Sequence, residues 1–444
     1  MNKPQNALRF AVLAATALPL SAFATNGYQL IGVGAYQKSL AGAVTAAPGS
    51  AMTAVSNPAG MARVGSRADF SMEAFMPERS VDFSAMYGTS ADSAVTMYGV
   101  PAIGWTAPTS DGSNVYFGGG MFGTSGMGVD YASTNLAPGY YTDPSNPATF
   151  VANPVYWDGY SNISFWQMAP GFAWNVNSRY SVGMTLNIDY QSVAFKQRAL
   201  ADTDANNEGD TVIQNFDLSR GASGFGLGLG LGILYDVSDK LTVGLNYKTK
   251  QEFDPLEYQL GYGDLANLPG SNCPGGVCPS GTYKLDLDFP QQAALGLAFK
   301  PGNGLTISTD VKWIDWSDTM DTLAVIGAGG VKVPMNPGWK DQTIYAVGVA
   351  YKVSPRMNVR GGYNYAKAPF GEDEVSRNLI LPAIVETHYT VGMDYSLNKR
   401  WELAMHYMLV PEKTMTAPAT DTSAPGAEIS LSERSFGMNI GYRF

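Results

Sequence analysis

The last nine residues of the chain alternate strictly between apolar side chains and small or polar ones. Because side chains on a strand point alternately to its two faces, this segment predicts a strand with one apolar and one wet face. A soluble sandwich could show the same alternation, but an aromatic strand at the end of a chain is typical of a membrane barrel, whose apolar row faces lipid. The apolar row consists of Phe436, Met438, Ile440, Tyr442 and Phe444.

The same alternation recurs from Arg67 onwards and predicts thirteen further strands. Six short polar turns join strands on one side, which is the hairpin pattern, and longer polar stretches join them on the other. The sequence therefore predicts an all-β fold, a 14-stranded antiparallel transmembrane β-barrel. The predicted strands are 67–77, 93–107, 114–126, 160–176, 180–195, 222–237, 240–254, 282–300, 305–318, 341–353, 357–368, 385–397, 401–411 and 429–444.

Three prolines interrupt the predicted strands: Pro101, Pro170 and Pro290. A closed barrel has no edge strand to accommodate a missing N–H, so each proline predicts a bulge or kink. Aromatic residues stand beside the short turns, as at Trp174 and Trp401, and this placement is typical of the interfacial girdle of a membrane barrel.

Residues 1–24 are predicted to be a secretory signal peptide, with the mature chain starting at Thr25. Lys3 and Arg9 form its basic end, residues 10–20 its apolar core and residues 22–24 its small-residue cleavage site. No later run reaches the roughly 18 apolar residues that a spanning helix needs, so membrane residence depends on strands alone.

Residues 25–66 are rich in Ala, Gly and Ser and show little alternation, and two short pieces of them could be helical. A fourteen-stranded barrel is too wide to be filled by its own side chains. These residues are the available segment that could plug it, so we predict an N-terminal hatch at 25–66 inside a barrel formed by 67–444.

Charge and cysteine content narrow the possible partners. The net charge is −10, or −12 without the signal peptide, which argues against binding nucleic acid. Cys273 and Cys278 predict a disulfide that closes a small loop in an oxidising compartment. A metal site is the weaker alternative, because the sequence has only two histidines, His388 and His406, and neither adjoins the cysteines. We expect no metal and no cofactor.

Five features of the sequence point to a known family: the mature N-terminus, the Ala/Gly-rich segment, the motif Asn57-Pro58-Ala59, the fourteen strands and the terminal Phe444. In these features the chain resembles the FadL/TodX (OmpP1) family of outer-membrane transporters. The resemblance implies a hatch in the lumen, uptake of long-chain fatty acids or related hydrophobic molecules, and sideways release into the membrane through a kink in the third strand. It places Asn57, Pro58 and Ala59 against that third strand.

The resemblance also suggests individual site residues. The glycines of the third strand, Gly118, Gly119, Gly120 and Gly123, would allow the lateral exit, or they would merely make room for the hatch. Gly27 and Tyr28 resemble the Gly-Phe pair near the N-terminus of family members, although this chain carries an extra residue before them and Tyr in place of Phe. Both are candidate ligand contacts.

Four basic residues fall on inward rows and could meet a carboxylate: Lys248, Lys300, Lys312 and Arg360. We retain Lys248, Lys312 and Arg360 as candidate ligand-binding residues. The alternative is internal salt bridging with Asp310, Asp394 and Glu402.

The expected function is passive transport, since the sequence has no energy-coupling motif. The alternatives are uptake of aromatic or alkane hydrocarbons, a general diffusion porin, and an outer-membrane phospholipase-like enzyme. We expect no enzyme, because no GxSxG motif occurs and both histidines point inward. The expected partners are a hydrophobic small molecule, outer-membrane lipid and lipopolysaccharide, and the barrel-assembly machinery through Phe444, with the protein acting as a monomer.

Overall fold

The computed structural model describes residues 26–135, 140–142, 150–152, 155–202 and 211–444. Its main feature is an antiparallel sheet that closes on itself, because the first barrel strand, β1 (Arg67–Asp82), pairs along its whole length with the last, β14 (Glu428–Arg443). The predicted 14-stranded barrel is confirmed. The predicted signal peptide and Thr25 lie outside the described residues.

The other barrel strands follow in chain order, and each pairs with its predecessor. Their bounds are β2 Tyr98–Pro108, β3 Val115–Asn135, β4 Val155–Met168 and Gly171–Asn175, β5 Tyr180–Ala201, β6 Ala222–Ser238, β7 Leu241–Lys248, β8 Gln292–Gly302, β9 Leu305–Ile314, β10 Gln342–Ser354, β11 Met357–Ala366, β12 Thr387–Ser396 and β13 Trp401–Thr416.

Predicted strand ends are accurate beside the short turns and less accurate on the loop side. β1, β3, β5 and β13 run several residues further into the loops than predicted, and β2 starts at Tyr98 rather than at 93. Residues 282–291 are not part of β8, and 316–320 form a helix. The segment Gly281–Leu285 alternates because it belongs to a separate four-stranded loop sheet with Leu256–Leu260, Ala324–Gly327 and Lys332–Pro334.

The remaining elements are short. The helices are α1 Gly34–Ser39, α2 Thr53–Ser56, α3 Met61–Val64, α4 Ser84–Tyr87 and α5 Trp316–Met320, with 3-10 turns at Pro58–Gly60, Pro274–Gly276, Ala328–Gly330 and Glu372–Arg377. Minor strands are Ser90–Asp92, Tyr140–Thr142, Phe150–Ala152, Thr211–Asp217, Glu252–Phe253 and Leu265–Ala266. Among the described residues, no helix is both long and apolar enough to cross a membrane.

The outward face of the barrel carries exposed apolar side chains, whereas the inward face is buried. On β6, Leu227 is 59% exposed, and on β14, Ile440 is 49% exposed. Their strand neighbours Gly228 and Asn439 face the lumen, where Asn439 donates a hydrogen bond to Asp69. This is the distribution that lipid outside and a polar interior favour.

The three prolines behave differently from one another. Pro170 lies in the break between the two segments of β4, so the kink predicted there is confirmed. Pro101 causes no register shift against β1, but the ladder from β2 to β3 begins one residue later, at Ala102. Pro290 precedes β8 and therefore kinks no strand, because β8 starts at Gln292.

Residues 26–66, here called the hatch segment, lie inside the barrel. α1 packs against the inner faces of β12, β13 and β14. Glycines on the wall allow this close approach, since a Cβ on Gly392 would lie 2.5 Å from Ser39 Cβ and one on Gly362 would lie 2.7 Å from the Ala41 nitrogen. The segment is compact and mostly buried, as small side chains permit.

Candidate functional site

The ladder between β2 and β3 is interrupted part-way up the barrel wall. From the end with the short turns it runs as far as the pair Ala102–Phe122. Backbone hydrogen bonding between the two chain segments resumes nearer the long loops, where the Ala94 N–H donates to the Asp130 carbonyl at 2.8 Å. Pro101 has no N–H with which to extend the ladder. We call the gap between these two points the window.

At the window, β3 pairs with the hatch segment instead of with β2. The Leu30 N–H donates to the Thr124 carbonyl at 3.0 Å, and the Gly126 N–H donates to the Tyr28 carbonyl at 2.9 Å. A β-bulge between Gly123 and Ser125 shifts the register of β3 against β4 at the same level. The N-terminal end of the hatch segment thus satisfies backbone groups that the departing β2 leaves free.

A pocket of about 100 Å³ lies in the wall at the window. Its lumenal side is formed by the inward residues Leu30, Phe75 and Arg79. Its outer side is formed by Ser164 and Trp166, which share the outward face of β4 with the exposed Met168. The pocket is thus lined by residues from both faces of the wall.

Smaller lumenal pockets lead from the hatch segment to the window. Phe75, Arg79, Gly126 and Met127 line both the window pocket and the adjoining lumenal pocket. That lumenal pocket also borders Tyr28, whose buried ring centre lies 4.7 Å from that of Trp316 and 5.7 Å from that of Phe289. Aromatic side chains from the long loops therefore cover these pockets at the end of the barrel that carries the loops.

Two half-buried lysines face one lumenal pocket beside the hatch segment. Lys312 Nζ donates to Gln29 Oε1 at 2.7 Å, and Lys248 Nζ donates to Gln167 Oε1 at 3.2 Å. Among the described ion pairs, none joins either lysine to a carboxylate within 4.0 Å. Asp310, the carboxylate on the strand of Lys312, accepts hydrogen bonds from the Val44 and Thr45 N–H groups at 3.0 and 2.9 Å.

A family model described as "Outer membrane protein transport protein (OMPP1/FadL/TodX)" matches residues 11–444. The chain belongs to this family. Members of the OMPP1/FadL/TodX family transport hydrophobic compounds and are channels rather than enzymes, which excludes the phospholipase alternative and confirms the predicted outer-membrane location. A comparison with curated proteins finds no match.

Solved structures of similar fold cover nearly the whole chain. The toluene transporter TodX of Pseudomonas putida matches with a TM-score of 0.68 and 19% identity, over 94% of this chain and 99% of that one. A FadL homologue of Pseudomonas aeruginosa matches with 0.67 and 17%, over 96% and 100%. The toluene transporter TbuX of Ralstonia pickettii matches with 0.63 and 16%, over 94% and 99%. At these identities the likeness concerns the fold.

The placement of the Asn57-Pro58-Ala59 motif against the third strand is wrong. The Asn57 amide donates to the Thr45 carbonyl at 2.7 Å and to the Ile233 carbonyl of β6 at 3.1 Å. A Cβ on Gly232 would lie 2.8 Å from Pro58 Cδ, so the motif packs on β6 and on the adjacent β5. Met61, two residues after the motif, does approach β3 and packs on Gly118.

The glycines of β3 divide into two groups. Gly123 lines the window, whereas Gly118, Gly119 and Gly120 lie on the turn side of it. Gly119 has φ +142°, which only glycine adopts readily, and it faces the break in β4 at Ala169 and Pro170. The run of three glycines thus allows β3, β4 and the hatch segment to approach closely.

The structure brings together some of the predicted ligand contacts and separates others. Gly27 and Tyr28 border the same lumenal pocket, and Lys248 and Lys312 share another, which also borders Gln29. Arg360 lies apart, at the end with the short turns, where it forms an ion pair with Asp394 and covers the ring of Tyr36 at 4.6 Å. Lys300 lines that same turn-side pocket.

The cysteines form the predicted disulfide, Cys273–Cys278, in the loops. Within the described part of the chain, no group of three or more His, Cys, Asp or Glu side chains could hold a metal ion. The sequence interpretation missed Leu30, Phe75 and Arg79. Two features of the sequence could have located the window. They are the proline at position 101 and the loss of alternation after Phe122, which lie on neighbouring strands.

Proposed function

We propose that this protein takes up long-chain fatty acids, binding the carboxylate at Lys248 and Lys312 in the lumen and releasing the molecule sideways through the window. The observation that carries the proposal is the lysine pair, half-buried and without a described carboxylate within 4.0 Å, at one end of a chain of pockets whose other end borders the outward face of β4.

The chemistry of the lysine pair favours an acidic ligand. Buried ammonium groups lose their hydration and are stabilised only by well-placed acceptors. The two glutamine oxygens that accept from Lys248 and Lys312 are neutral, so a carboxylate would supply stronger, charge-assisted bonds. Asp310 accepts the Val44 and Thr45 N–H groups of the hatch segment, and among the described ion pairs none joins it to Lys312 within 4.0 Å.

The window gives the hydrocarbon tail a route that avoids water. Each methylene group transferred from water to an apolar environment contributes about 0.8 kcal/mol, so a long tail strongly favours leaving towards lipid. The route is lined on its lumenal side by Leu30 and Phe75 and on its outer side by Trp166. Transport along it is passive, driven by the affinity of the tail for hydrocarbon.

Binding measurements on the purified protein test the carboxylate contact. Lys248→Met with Lys312→Met should weaken the affinity for tetradecanoate by about tenfold or more, the range of one lost charge-assisted contact, and leave that for tetradecanol unchanged. Lys300→Met removes a lysine from the turn-side pocket and serves as the matched control. Equal affinity of the double variant and the wild type for tetradecanoate would refute the carboxylate contact.

A second candidate substrate is a neutral aromatic hydrocarbon. It is favoured by the rings of Tyr28, Trp316 and Phe289, which meet edge-on or tilted around the lumenal route and would suit a flat apolar molecule. Uptake of toluene that survives the double lysine substitution, together with failure to take up tetradecanoate in the wild type, would favour this candidate.

A further inference from the structure

Arg79 occupies the junction between the lumenal pocket and the window. It lies on the inward row of β1, is 7% exposed, and lines both pockets. Lys248 and Lys312 line only the pocket further inside, beside Gln29. Lys38 borders a pocket between them but forms an ion pair with Glu73 at 3.1 Å, so Arg79 is the next basic side chain on the way out that no described carboxylate pairs with.

Among the described residues, the guanidinium of Arg79 is bound only by neutral groups within hydrogen-bond distance. Its Nη2 donates to the Val95 carbonyl at 2.5 Å and its Nη1 to the Tyr98 hydroxyl at 3.4 Å, while Nε has no hydrogen-bond partner among the described residues. No ion pair between described residues includes Arg79. Glu433 faces the same lumenal pocket, with His388 Nε2 3.9 Å from its carboxylate.

We propose that Arg79 is a second carboxylate contact, which receives the head group from the lysine pair and holds it while the tail enters the window. This inference rests on the proposed function, since it requires an acidic substrate. A carboxylate that left the lysines for an apolar opening would lose its counter-charge in a medium of low dielectric. An arginine at the opening offers two parallel donors to the departing carboxylate and lowers that barrier.

The competing explanation is that Arg79 has only a structural role. Its two hydrogen bonds hold Val95 and Tyr98, which frame the window, and its guanidinium lies 5.5 Å from the Tyr98 ring centre. Loss of a purely structural residue would affect the transfer of every substrate equally, whereas loss of a carboxylate contact would affect the transfer of acids alone. Paired acid and alcohol substrates of one chain length therefore separate the two roles.

The test measures transfer of tetradecanoate and tetradecanol from the protein, reconstituted in phospholipid vesicles, into the bilayer. Arg79→Met should slow transfer of the acid by about tenfold, the scale of one lost charge-assisted contact, and change that of the alcohol less than twofold. Arg79→Lys, which keeps the charge but not the two-donor geometry, should recover most of the acid rate. Arg434→Met, on the exposed face of the neighbouring strand, is the matched control and should transfer both substrates at wild-type rates.

Equal loss of acid and alcohol transfer in Arg79→Met, or no loss at all, would overturn the proposal. If Arg79→Met does not fold, as judged by heat-modifiable gel mobility, Arg79→Gln replaces it with the same expected outcome. The double lysine variant distinguishes the two levels of the argument. If that variant loses its preference for the acid while Arg79→Met keeps a normal acid rate, only the role of Arg79 fails; if the double variant keeps its preference, the proposed function itself fails.

Discussion

Lys38 of the hatch segment lies 3.1 Å from Glu73 of β1, measured from Nζ to Oε1, and both side chains are buried, at 0% and 4% exposure. The same glutamate oxygen is 3.9 Å from His406 Nε2, and His406 contacts the Ser435 hydroxyl at 3.3 Å. α1 is thus connected to the barrel wall through a charged pair that solvent does not reach. Lys38 also borders the lumenal pocket beside Tyr28, so the pair stands next to the proposed route.

Removing the hatch-side charge of this pair should loosen the hatch segment. Lys38→Met leaves Glu73 buried without its counter-charge, a change that costs about 3–5 kcal/mol. We expect a higher mean conductance in planar bilayers and a lower urea midpoint for loss of the hatch. The matched control is Arg63→Met. Arg63 forms an ion pair with Asp236 in which each side chain is 25% exposed, so this pair is better solvated. Wild-type conductance in Lys38→Met would contradict the prediction.

The packing of Asn57 and Pro58 on β6 leads to a second prediction. A Cβ on Gly232 would overlap the Asn57 amide oxygen and lie 2.8 Å from Pro58 Cδ, so Gly232→Ala must displace the motif. Overpacking of this kind costs about 1–3 kcal/mol. We expect faster cleavage of the hatch segment by an added protease. Gly361→Ala is the control, because a Cβ there meets only the Thr390 carbonyl, at 3.6 Å. Equal cleavage of the two variants would show that the motif yields without strain.

The barrel could be predicted from the sequence because each strand carries its own alternation and each short turn its own polar residues. Leu227 and Ile440 face lipid for reasons that are local to their strands. The loop side was predicted less well for a physical reason. Residues such as Tyr283 and Leu285 alternate for a strand of the loop sheet, and alternation identifies a strand without showing which sheet it joins.

The candidate site depends on contacts that no single segment encodes. The lysine pair was identified because inward parity is a local property. The position of Asn57 could not be derived, since it depends on which wall strands have glycines facing the hatch segment at the right height, here Gly183 and Gly232. The window was missed for the same reason, because it requires Pro101 and the bulge after Gly123 to lie side by side on two different strands.

The disulfide gives a third prediction, confined to the loops. Cys273–Cys278 closes a short loop with a sequence separation of five, for which chain entropy in the unfolded state predicts about 2 kcal/mol of stabilisation. Cys273→Ser with Cys278→Ser should therefore speed proteolysis of the loop around residues 267–280 and leave the urea midpoint of the barrel unchanged. A barrel that itself unfolds earlier would show that the loop sheet supports the wall.

The fourth prediction concerns acid sensitivity of two loops joined by Asp421. Burial alone would raise the pKa of this carboxyl, but hydrogen bonds from the Ala424 N–H at 2.8 Å, the Ser376 hydroxyl at 2.7 Å and the Ser423 N–H at 2.7 Å hold its pKa below the ordinary value. A depressed pKa means that the ionised form stabilises the fold. That stabilisation is complete above the ordinary carboxyl range and is lost as the pH falls through the depressed value, below about pH 4.

Hydrogen exchange measured at pH 7 and at about pH 2, well below the ordinary carboxyl pKa, checks this prediction after correction for the intrinsic exchange rate. The amides of Ser423 and Ala424 should lose protection at the lower pH in the wild type, because the protonated carboxyl is a weaker acceptor. Asp421→Asn removes the titration, so its protection should be low at both pH values. Strand β14 serves as the internal control, because it pairs with β1 through backbone groups rather than through a titrating carboxylate. Protection of residues 423 and 424 that persists at about pH 2 in the wild type would show that the turn is held by its backbone alone.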